Sequence, residues 1–211
     1  MPGDGAAHRN RASIAYYHPH QVLCFSGADK EGKLDYRAYE QAEAAAVERL
    51  FVSAFSEAEG EQEGALIGDL VEEMLASTDG RDLDGFVAVD GNEIVGAIFF
   101  SRLTFDDDID VFVLAPVAVA TDHQGKGIGQ VLITHGLREM RRMGVSYVTT
   151  YGDPSFYSKV GFQPISEDDI APPLELSQPE GWLGQPLGDD DIDAIPGRPT
   201  CVKALDDPVY W

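Results

Sequence analysis

A short stretch of the chain combines glycines, a lysine and the start of a helix in a way that suits a bound anion. The sequence Gln-Gly-Lys-Gly-Ile-Gly fills residues 124–129, between an apolar run and a long amphipathic run. Glycines let the backbone approach a ligand closely and turn its N–H groups outward. The following helix adds unpaired N–H groups and the positive end of its dipole. With the charge of Lys126, these features predict a phosphate-binding loop.

The spacing of these glycines excludes two common nucleotide-binding loops. A P-loop requires Gly-x-x-x-x-Gly-Lys-[Ser/Thr], and the chain contains no such string. A dinucleotide-binding fingerprint requires Gly-x-Gly-x-x-Gly, but its last position, counted from Gly125, is Gln130. The pattern that fits is [Gln/Arg]-x-x-Gly-x-[Gly/Ala], formed by Gln124, Gly127 and Gly129.

This pattern resembles the loop with which the GNAT N-acetyltransferase family holds the pyrophosphate of coenzyme A. A second match lies downstream, where Tyr157, Gly161 and Phe162 form Tyr-x-x-x-Gly-Phe. It resembles the family's late helix, which is followed by a Gly-Phe turn into the next strand. The chain is therefore identified as similar to GNAT acetyltransferases on two separate motifs.

The flanking residues resemble those of one bacterial acetyltransferase subgroup. Its members carry Leu-x-Pro-[Leu/Val]-Ala-Val before the loop, as residues 114–119 do. After the loop they carry Gly-[Asp/His]-Pro-x-[Phe/Tyr]-Tyr-x-x-x-Gly-Phe, as residues 152–162 do. The chain departs from the subgroup at Thr121, where many members have proline. The resemblance covers roughly residues 34–164 and extends only weakly to the C-terminus.

The resemblance implies acetyl-CoA as the co-substrate and no metal. The loop would hold the pyrophosphate, and the end of the preceding strand would pair with the amides of the pantetheine arm. A backbone N–H there would polarise the thioester carbonyl. The cofactor-binding residues implied in this way are Val117, Ala118, Val119, Gln124, Gly125, Lys126, Gly127, Ile128, Gly129 and Gln130.

The resemblance also implies a catalytic role for Tyr157, whose counterpart in the family commonly protonates the departing thiolate of coenzyme A. A phenol is a hydrogen-bond donor at neutral pH, so the chemistry is reasonable. The alternative is that Tyr157 packs beside Phe156 and Val160 and only forms a hydrogen bond.

The base that would deprotonate the acceptor amine is not evident. No Glu or Asp lies inside the strand of residues 111–119, where a base carried by the strand would lie. Glu93, Asp110 and Asp153 remain candidates that would act through water. Because the base is missing, a rival hypothesis stays open, in which the domain binds acyl-CoA as a non-catalytic sensor or regulatory module.

The elements that must position these residues follow from hydrophobic periodicity. A strand is predicted near residues 34–39, and two helices follow with apolar stripes through residues 47–55 and 66–75, separated by a break at residues 57–64. Three strands, a helix, a strand, a short helix and a strand-like tail complete the order. This order predicts an α/β fold around one sheet.

The resemblance sharpens this fold class. It implies the GNAT (acyl-CoA N-acyltransferase) fold, a single mixed, mostly antiparallel twisted sheet flanked by helices, with a V-shaped splay between central strands. Asp90–Gly91 predicts a tight hairpin turn, and Pro116 predicts a bulge in its strand because proline cannot donate to a sheet. In the helix after the loop, one broad face is predicted to hold Ile128, Val131, Leu132, Met140 and Met143.

Three segments are expected along the chain. Residues 1–32 form an irregular N-terminal extension, residues 33–165 the acetyltransferase domain, and residues 166–211 an acidic, Pro- and Gly-rich segment that packs on it. A late strand is predicted near residues 201–205. Cys24 and Cys201 match no metal-binding spacing.

The charge and the apolar pattern exclude two classes of partner. The 211 residues carry a formal net charge of −22, which argues against nucleic acid because phosphate backbones bind stripes of Lys and Arg. No apolar run approaches the roughly 18 to 20 residues that a membrane span needs. The N-terminal region also lacks the apolar core of a secretory signal. We therefore expect a cytoplasmic protein without a membrane partner.

The acceptor is expected to be an amine on a small molecule or a peptide. Residues 166–193 hold nine acidic residues and no Lys or Arg, so this stretch either attracts a cationic substrate or is solvated surface. Trp182, Tyr210 and Trp211 either pack on the domain or mark an interface. A homodimer therefore remains open.

Overall fold

The computed structural model describes residues 34–188 and 194–211, so the predicted N-terminal extension at residues 1–32 lies outside the described residues. Within the described ranges, the chain forms the following helices and strands: β1 Asp35–Ala38, α1 Ala44–Glu59, α2 Glu61–Ser77, β2 Leu83–Asp90, β3 Glu93–Leu103, β4 Val111–Val119, α3 Ile128–Arg142, β5 Tyr147–Tyr151, α4 Pro154–Tyr157, β6 Gln163–Pro164 and β7 Trp182–Pro186.

The strands form one sheet in the order β1-β2-β3-β4-β5-β7-β6. Every neighbouring pair is antiparallel except β4 and β5, which run parallel. Helices α1 and α2 pack on one face of the sheet, here called the α1/α2 face, and α3 and α4 pack on the other, here called the α3 face. The predicted fold class, a mixed and mostly antiparallel sheet flanked by helices, is confirmed.

The parallel strands β4 and β5 stay together for only part of their length. Their last paired residues are Leu114 on β4 and Thr150 on β5. The hydroxyl of Thr150 donates a hydrogen bond to the Leu114 carbonyl oxygen at 2.9 Å, which closes the end of the pairing. Beyond this point β4 continues to Val119 and pairs with β3 alone. The gap between the two strands, called the splay below, is the V predicted above.

A bulge in β4 lies at the start of the splay. The register with β3 passes from Leu114 opposite Phe100 to Val117 opposite Ile98. Two residues of β4, Ala115 and Pro116, therefore lie opposite a single residue of β3. This is the bulge predicted from Pro116, because a proline without an N–H cannot continue the ladder.

The break between the first two helices is shorter than predicted. Only Gly60 separates α1 from α2, whereas the sequence predicted a break across residues 57–64. Gly60 makes the sharp junction possible because its φ is +103°. Glu61 and Glu63 lie in the first turn of α2, where negative charge is favourable beside the helix dipole.

The late strand was predicted in the wrong place. Residues Lys203–Leu205 form a 3₁₀ turn, and the strand that joins the sheet is β7, which inserts between β5 and β6. The sequence hides β7 because glycine, glutamine and proline interrupt its apolar pattern after Trp182 and Leu183. Pairing with β5 along its whole length nevertheless forms the strand.

Helix α3 presents a narrower buried face than predicted. Val131 and Met143 were placed on that face, but their exposed fractions are 49% and 57%. The helix lies close to the sheet at Gly136, where an added Cβ would stand 2.6 Å from the ring of Phe100. So close an approach buries only the residues directly above the sheet, which include Leu132.

Candidate active site

The glycine-rich loop lies at the end of β4 and opens outward. Gly125 and Gly127 have φ values of +73° and +80°, a conformation that favours glycine. A Cβ added at either position would meet no atom within 4 Å. Conformation, and not crowding, therefore requires glycine here, and the space above the loop is open to a ligand.

The start of α3 supplies hydrogen-bond donors to this open space. Gly127 is the N-cap of the helix, and no side chain caps it. Val131 donates to the Gly127 carbonyl at 3.1 Å, so the amides of Ile128, Gly129 and Gln130 precede the helical ladder. Lys126 is exposed beside them. These groups fit an anion such as a pyrophosphate.

Gln124 has a structural role that explains its place in the motif. Its side-chain amide donates to the Val119 carbonyl oxygen at 2.9 Å. This bond ties the loop to the last residue of β4 and fixes where the loop leaves the strand. Gln124 therefore shapes the site without needing to touch a ligand.

Val117, Ala118 and Val119 lie on the part of β4 that borders the splay. Ala118 is buried on the α1/α2 face, whereas Val117 and Val119 pack toward the α3 face. In the described residues, no strand pairs with this stretch on the side of β5. Its backbone is thus available to an extended ligand.

Tyr157 is buried at the end of the short helix α4. The helix begins as predicted, with Asp153 as N-cap, and the Asp153 carboxylate accepts from the Ser155 N–H at 2.8 Å. The Tyr157 ring makes edge contacts with Phe156 and Phe162, with ring centroids 5.1 and 5.7 Å apart. These contacts fix the ring on the α3 face.

The environment of Tyr157 keeps its phenol protonated. Burial raises the pKa of Tyr157 to about 12, a hydrogen bond with Thr150 lowers the pKa, and the charge of Asp153 raises it. The Thr150 hydroxyl, which donates to the Leu114 carbonyl oxygen, is also the hydrogen-bond partner of the Tyr157 hydroxyl. Thr150 places the Tyr157 hydroxyl at the start of the splay.

Thr150 is a site residue that the sequence did not single out. A threonine in an apolar strand is typical of sheet propensity alone, so its type carries no functional signal. Its importance depends on lying opposite Leu114, which only the pairing of β4 with β5 reveals.

The three candidate bases named from the sequence are not brought together. Asp110 pairs with Arg102, and Asp153 is occupied as the N-cap of α4. Glu93 lines a cavity of about 670 Å³ between α1, the β2–β3 turn and the loop after β4, which includes Thr121 and Asp122. None of these three carboxylates contacts Tyr157 or Thr150 in the hydrogen bonds of the described residues.

Neither a metal-binding cluster nor a membrane-spanning helix is present among the described residues. Across residues 34–188 and 194–211, no three His, Cys, Asp or Glu side chains gather in a way that could hold a metal ion. In the same ranges, no helix has both the length and the apolar character required to cross a membrane.

Sequence comparison decides the family. Residues 81–164 match the family model described as the acetyltransferase (GNAT) domain. Over 125 residues the chain is 33% identical to the uncharacterised N-acetyltransferase YjhQ of Escherichia coli K12, an alignment that covers 56% of this chain and 69% of YjhQ. The chain belongs to the GNAT acetyltransferase family. The family and the acyltransferase class predicted from the sequence are confirmed.

A second GNAT relative is similar in both sequence and structure. YhbS of E. coli K12, an uncharacterised N-acetyltransferase, is 30% identical over 114 residues, which cover 53% of this chain and 65% of YhbS. The crystal structure of E. coli YhbS in complex with CoA superposes with a TM-score of 0.70 at 24% identity, covering 86% of this chain and 97% of that one.

A GNAT acetyltransferase from Brucella melitensis, crystallised in complex with acetyl-CoA, has a TM-score of 0.65 at 22% identity. That match covers 83% of this chain and 100% of the Brucella chain. Both structural likenesses show that the GNAT fold is shared.

Proposed function

We propose that this chain is an acetyl-CoA-dependent N-acetyltransferase that moves an acetyl group to a primary amine by direct attack in a ternary complex. One observation carries the proposal: the open anion-binding loop of residues 125–129 lies at the end of the same strand that borders the splay. A ligand with a phosphate group at one end and an extended amide chain at the other matches this arrangement. The GNAT relatives crystallised with CoA and acetyl-CoA support the same co-substrate.

The loop and the strand would hold different parts of acetyl-CoA. The amides at the start of α3 and the charge of Lys126 suit the pyrophosphate. The unpaired edge at Val117, Ala118 and Val119 suits the pantetheine amides, which would add to β4 as an extra strand does. Holding both substrates in place contributes on the order of 7–11 kcal/mol to a two-substrate reaction.

Tyr157 would act on the sulfur as the C–S bond breaks. Its pKa of about 12 keeps the phenol protonated at neutral pH, so it is a hydrogen-bond donor throughout the reaction. The departing thiolate belongs to a thiol with a pKa of about 8.5, the value for cysteine. It is therefore a weaker base than the Tyr157 phenolate and does not remove the phenol proton completely. We therefore assign Tyr157 as the donor that stabilises the developing negative charge on the sulfur. The C–S bond breaks as the N–C bond forms, and the proton that the attacking nitrogen loses is the one that the sulfur gains.

The acceptor is proposed to be an amine on a small molecule or a peptide. The net charge of −22 would attract a cationic acceptor over a distance set by ionic strength. The alternative function, an acyl-CoA sensor without turnover, predicts the same cofactor site. Measurements of binding and turnover together separate these two functions.

The test is calorimetric titration with acetyl-CoA of the wild type, Gly127→Glu and Gly144→Glu. Glu at residue 127 would place a negative charge in the anion site, so we expect binding to be lost. Gly144 is the matched control, because it also has a positive φ of +91° with no atom within 4 Å of an added Cβ. It follows the opposite end of α3, so its variant should bind normally.

Turnover is then measured as thiol release with spermidine, a lysine-containing peptide and kanamycin as acceptors. Release with any of them supports the enzyme, whereas binding without release supports the sensor. If the wild type binds neither acetyl-CoA nor a longer acyl-CoA, the proposed function is wrong.

A further inference from the structure

A histidine at the entrance to the glycine-rich loop contacts two carboxylates that belong to different elements. The Nδ1 atom of His123 lies 2.8 Å from Asp122 Oδ1, and its Nε2 atom lies 3.6 Å from Asp90 Oδ2. Asp122 precedes His123 in the 3₁₀ turn that follows β4, whereas Asp90 ends β2 at the β2–β3 turn. The His123 side chain is only 19% exposed. The contacts of His123 with Asp90 and Asp122, called the clasp below, therefore join the loop to the β2–β3 turn.

The clasp is one of several contacts that fix the path of the chain from β4 to α3. The Ala120 N–H donates to the Val95 carbonyl oxygen at 2.9 Å, and the Gln124 side chain donates to the last residue of β4. The next three residues, 125–127, include two glycines with positive φ. Such a segment loses much conformational freedom when it orders around a ligand. An anchor immediately before the segment therefore lowers the cost of ordering it.

The geometry of the clasp suits a protonated imidazole. A neutral imidazole carries one N–H and one lone pair, so it can donate to only one of the two carboxylates, whereas a protonated imidazole donates from both nitrogens. The contact with Asp90, at 3.6 Å, is also longer than a direct hydrogen bond, so its attraction depends on opposite charge. Loss of the proton therefore removes the attraction that joins the loop to the turn.

The charge of His123 also affects the cation of the loop. The hydrogen bond with His123 lowers the pKa of Asp122 most, and the charge of Lys126 lowers it further, so Asp122 and Lys126 are within electrostatic reach. A carboxylate that pairs with Lys126 would weaken its attraction for a phosphate. The protonated imidazole offsets the charge of Asp122 at 2.8 Å and leaves Lys126 available to an anion. Both effects favour anion binding when His123 is charged.

The other charged groups near the clasp come from the β2–β3 turn and from α1. They line the cavity of about 670 Å³ together with Asp122, and they are Glu93 on the turn and Glu43, Arg49 and Glu57 beside or on α1. Carboxyl and guanidinium groups ordinarily keep their charge between about pH 5 and 8, whereas histidine is the side chain whose charge ordinarily changes there. A pH dependence in this range therefore points to the imidazole.

We propose that His123, in its protonated form, is a positioning residue for the pyrophosphate of acetyl-CoA, a role that rests on the cofactor site proposed above. It holds the loop against the β2–β3 turn and offsets the charge of Asp122, so that the loop N–H groups and Lys126 face the anion in a fixed arrangement. The role concerns binding alone, so it applies to the enzyme and to the sensor alike. Its consequence is that affinity falls as the pH rises and the imidazole loses its proton.

The test is the Kd for acetyl-CoA, measured by calorimetry in steps from about pH 5 to about pH 8. His123→Gln removes the titrating group but keeps a side-chain amide that can donate to one carboxylate. We expect its Kd to exceed that of the wild type by about fivefold near pH 5 and to match it near pH 8. The 3′-phosphate of the ligand also titrates, with a pKa of about 6. Its effect cancels in the ratio of the two Kd values, which is the quantity compared.

Asp90→Asn tests the contact between the two elements. Asn-Gly suits a tight hairpin turn as well as Asp-Gly does, so this variant keeps the turn and removes only the charge. We expect its Kd to exceed the wild-type value by about threefold near pH 5 and to match it near pH 8. His135→Gln is the matched control, because this imidazole lies on α3, where it contacts Phe86 and Arg138. Its Kd should equal that of the wild type at every pH.

Three outcomes overturn the role of His123 and leave the proposed function intact, because the wild type still binds. The first is a Kd ratio of His123→Gln to wild type that is the same at every pH, since a merely structural role does not depend on the imidazole charge. The second is wild-type binding by Asp90→Asn at every pH. The third is the same pH dependence in His135→Gln. Absence of binding by the wild type at every pH overturns the proposed function together with the role of His123.

Discussion

At the scale of single residues, the site depends on where ordinary side chains are placed. Tyr157 is an ordinary phenol that stays protonated at neutral pH because burial raises its pKa to about 12. Thr150 donates to the Leu114 carbonyl oxygen and is the hydrogen-bond partner of the Tyr157 hydroxyl. The chemical roles proposed for these residues therefore depend on the end of the β4–β5 pairing, which places them together.

Removing the phenol should affect turnover and not binding. Tyr157→Phe keeps the ring contacts with Phe156 and Phe162 but removes the donor, so we expect kcat to fall by about 10²-fold. The Kd for acetyl-CoA, measured by calorimetry, should stay within twofold. Tyr36→Phe is the control, because this tyrosine lies on the edge strand β1. Full activity in Tyr157→Phe would show that the ring only packs.

The N-cap of α4 should contribute measurably to stability. In Asp153→Ala the Ser155 N–H loses its acceptor, and we expect a loss of about 1 kcal/mol in the free energy of unfolding. Asp153→Asn keeps an acceptor oxygen and should lose less. Urea denaturation measures both values, and equal stability of Ala and Asp would contradict the capping role.

At the scale of elements, the sequence motifs predicted the glycine-rich loop and the strand before it more accurately than the sequence predicted the strand in the C-terminal segment. Residues 124–129 predicted the loop because glycine, lysine and a helix start have direct physical consequences. The strand Val111–Val119 was predicted with its observed bounds because its apolar run is nearly continuous. β7 was missed because its strand character comes from pairing with β5, which no local pattern displays.

The contact of α3 with the sheet should tolerate no side chain at Gly136. A Cβ there would stand 2.6 Å from the Phe100 ring, so Gly136→Ala must shift the helix or the ring. We expect a loss of about 1–3 kcal/mol in the free energy of unfolding, which outweighs the helix-propensity gain of about 1 kcal/mol. Gly80→Ala is the control, since a Cβ there meets no atom within 4 Å. Equal stability of Gly136→Ala and the wild type in thermal unfolding would disprove this close packing.

At the scale of the whole molecule, the most prominent property is the large net negative charge. A net charge of −22 on 211 residues creates self-repulsion that opposes the compact state. The net charge was evident from the composition, but the composition could not show which carboxylates form ion pairs with which basic residues. Arg102, for example, holds both Asp82 and Asp110, two residues that the sequence does not connect.

Salt should therefore stabilise the protein. Raising the ionic strength from 0.01 M to 1 M shortens the screening length from about 30 Å to about 3 Å, which weakens the repulsion. We expect the Tm in differential scanning calorimetry to rise by several degrees, at about 2–4 °C for each kcal/mol gained. Sodium chloride and potassium chloride should act alike, because screening depends on ionic strength alone. A Tm that falls or stays constant would refute this account.

The packing of Trp211 allows the region beside the splay to be followed by intrinsic tryptophan fluorescence. The chain has two tryptophans, Trp182 and Trp211, and their ring centroids lie 6.2 Å apart. Both belong to the α1/α2 face, and Trp211 stacks directly on Tyr151. All indole emission of the protein therefore originates within one small volume next to β5. An acceptor that binds on this face, or a movement of the last residues, would change the fluorescence without any added label.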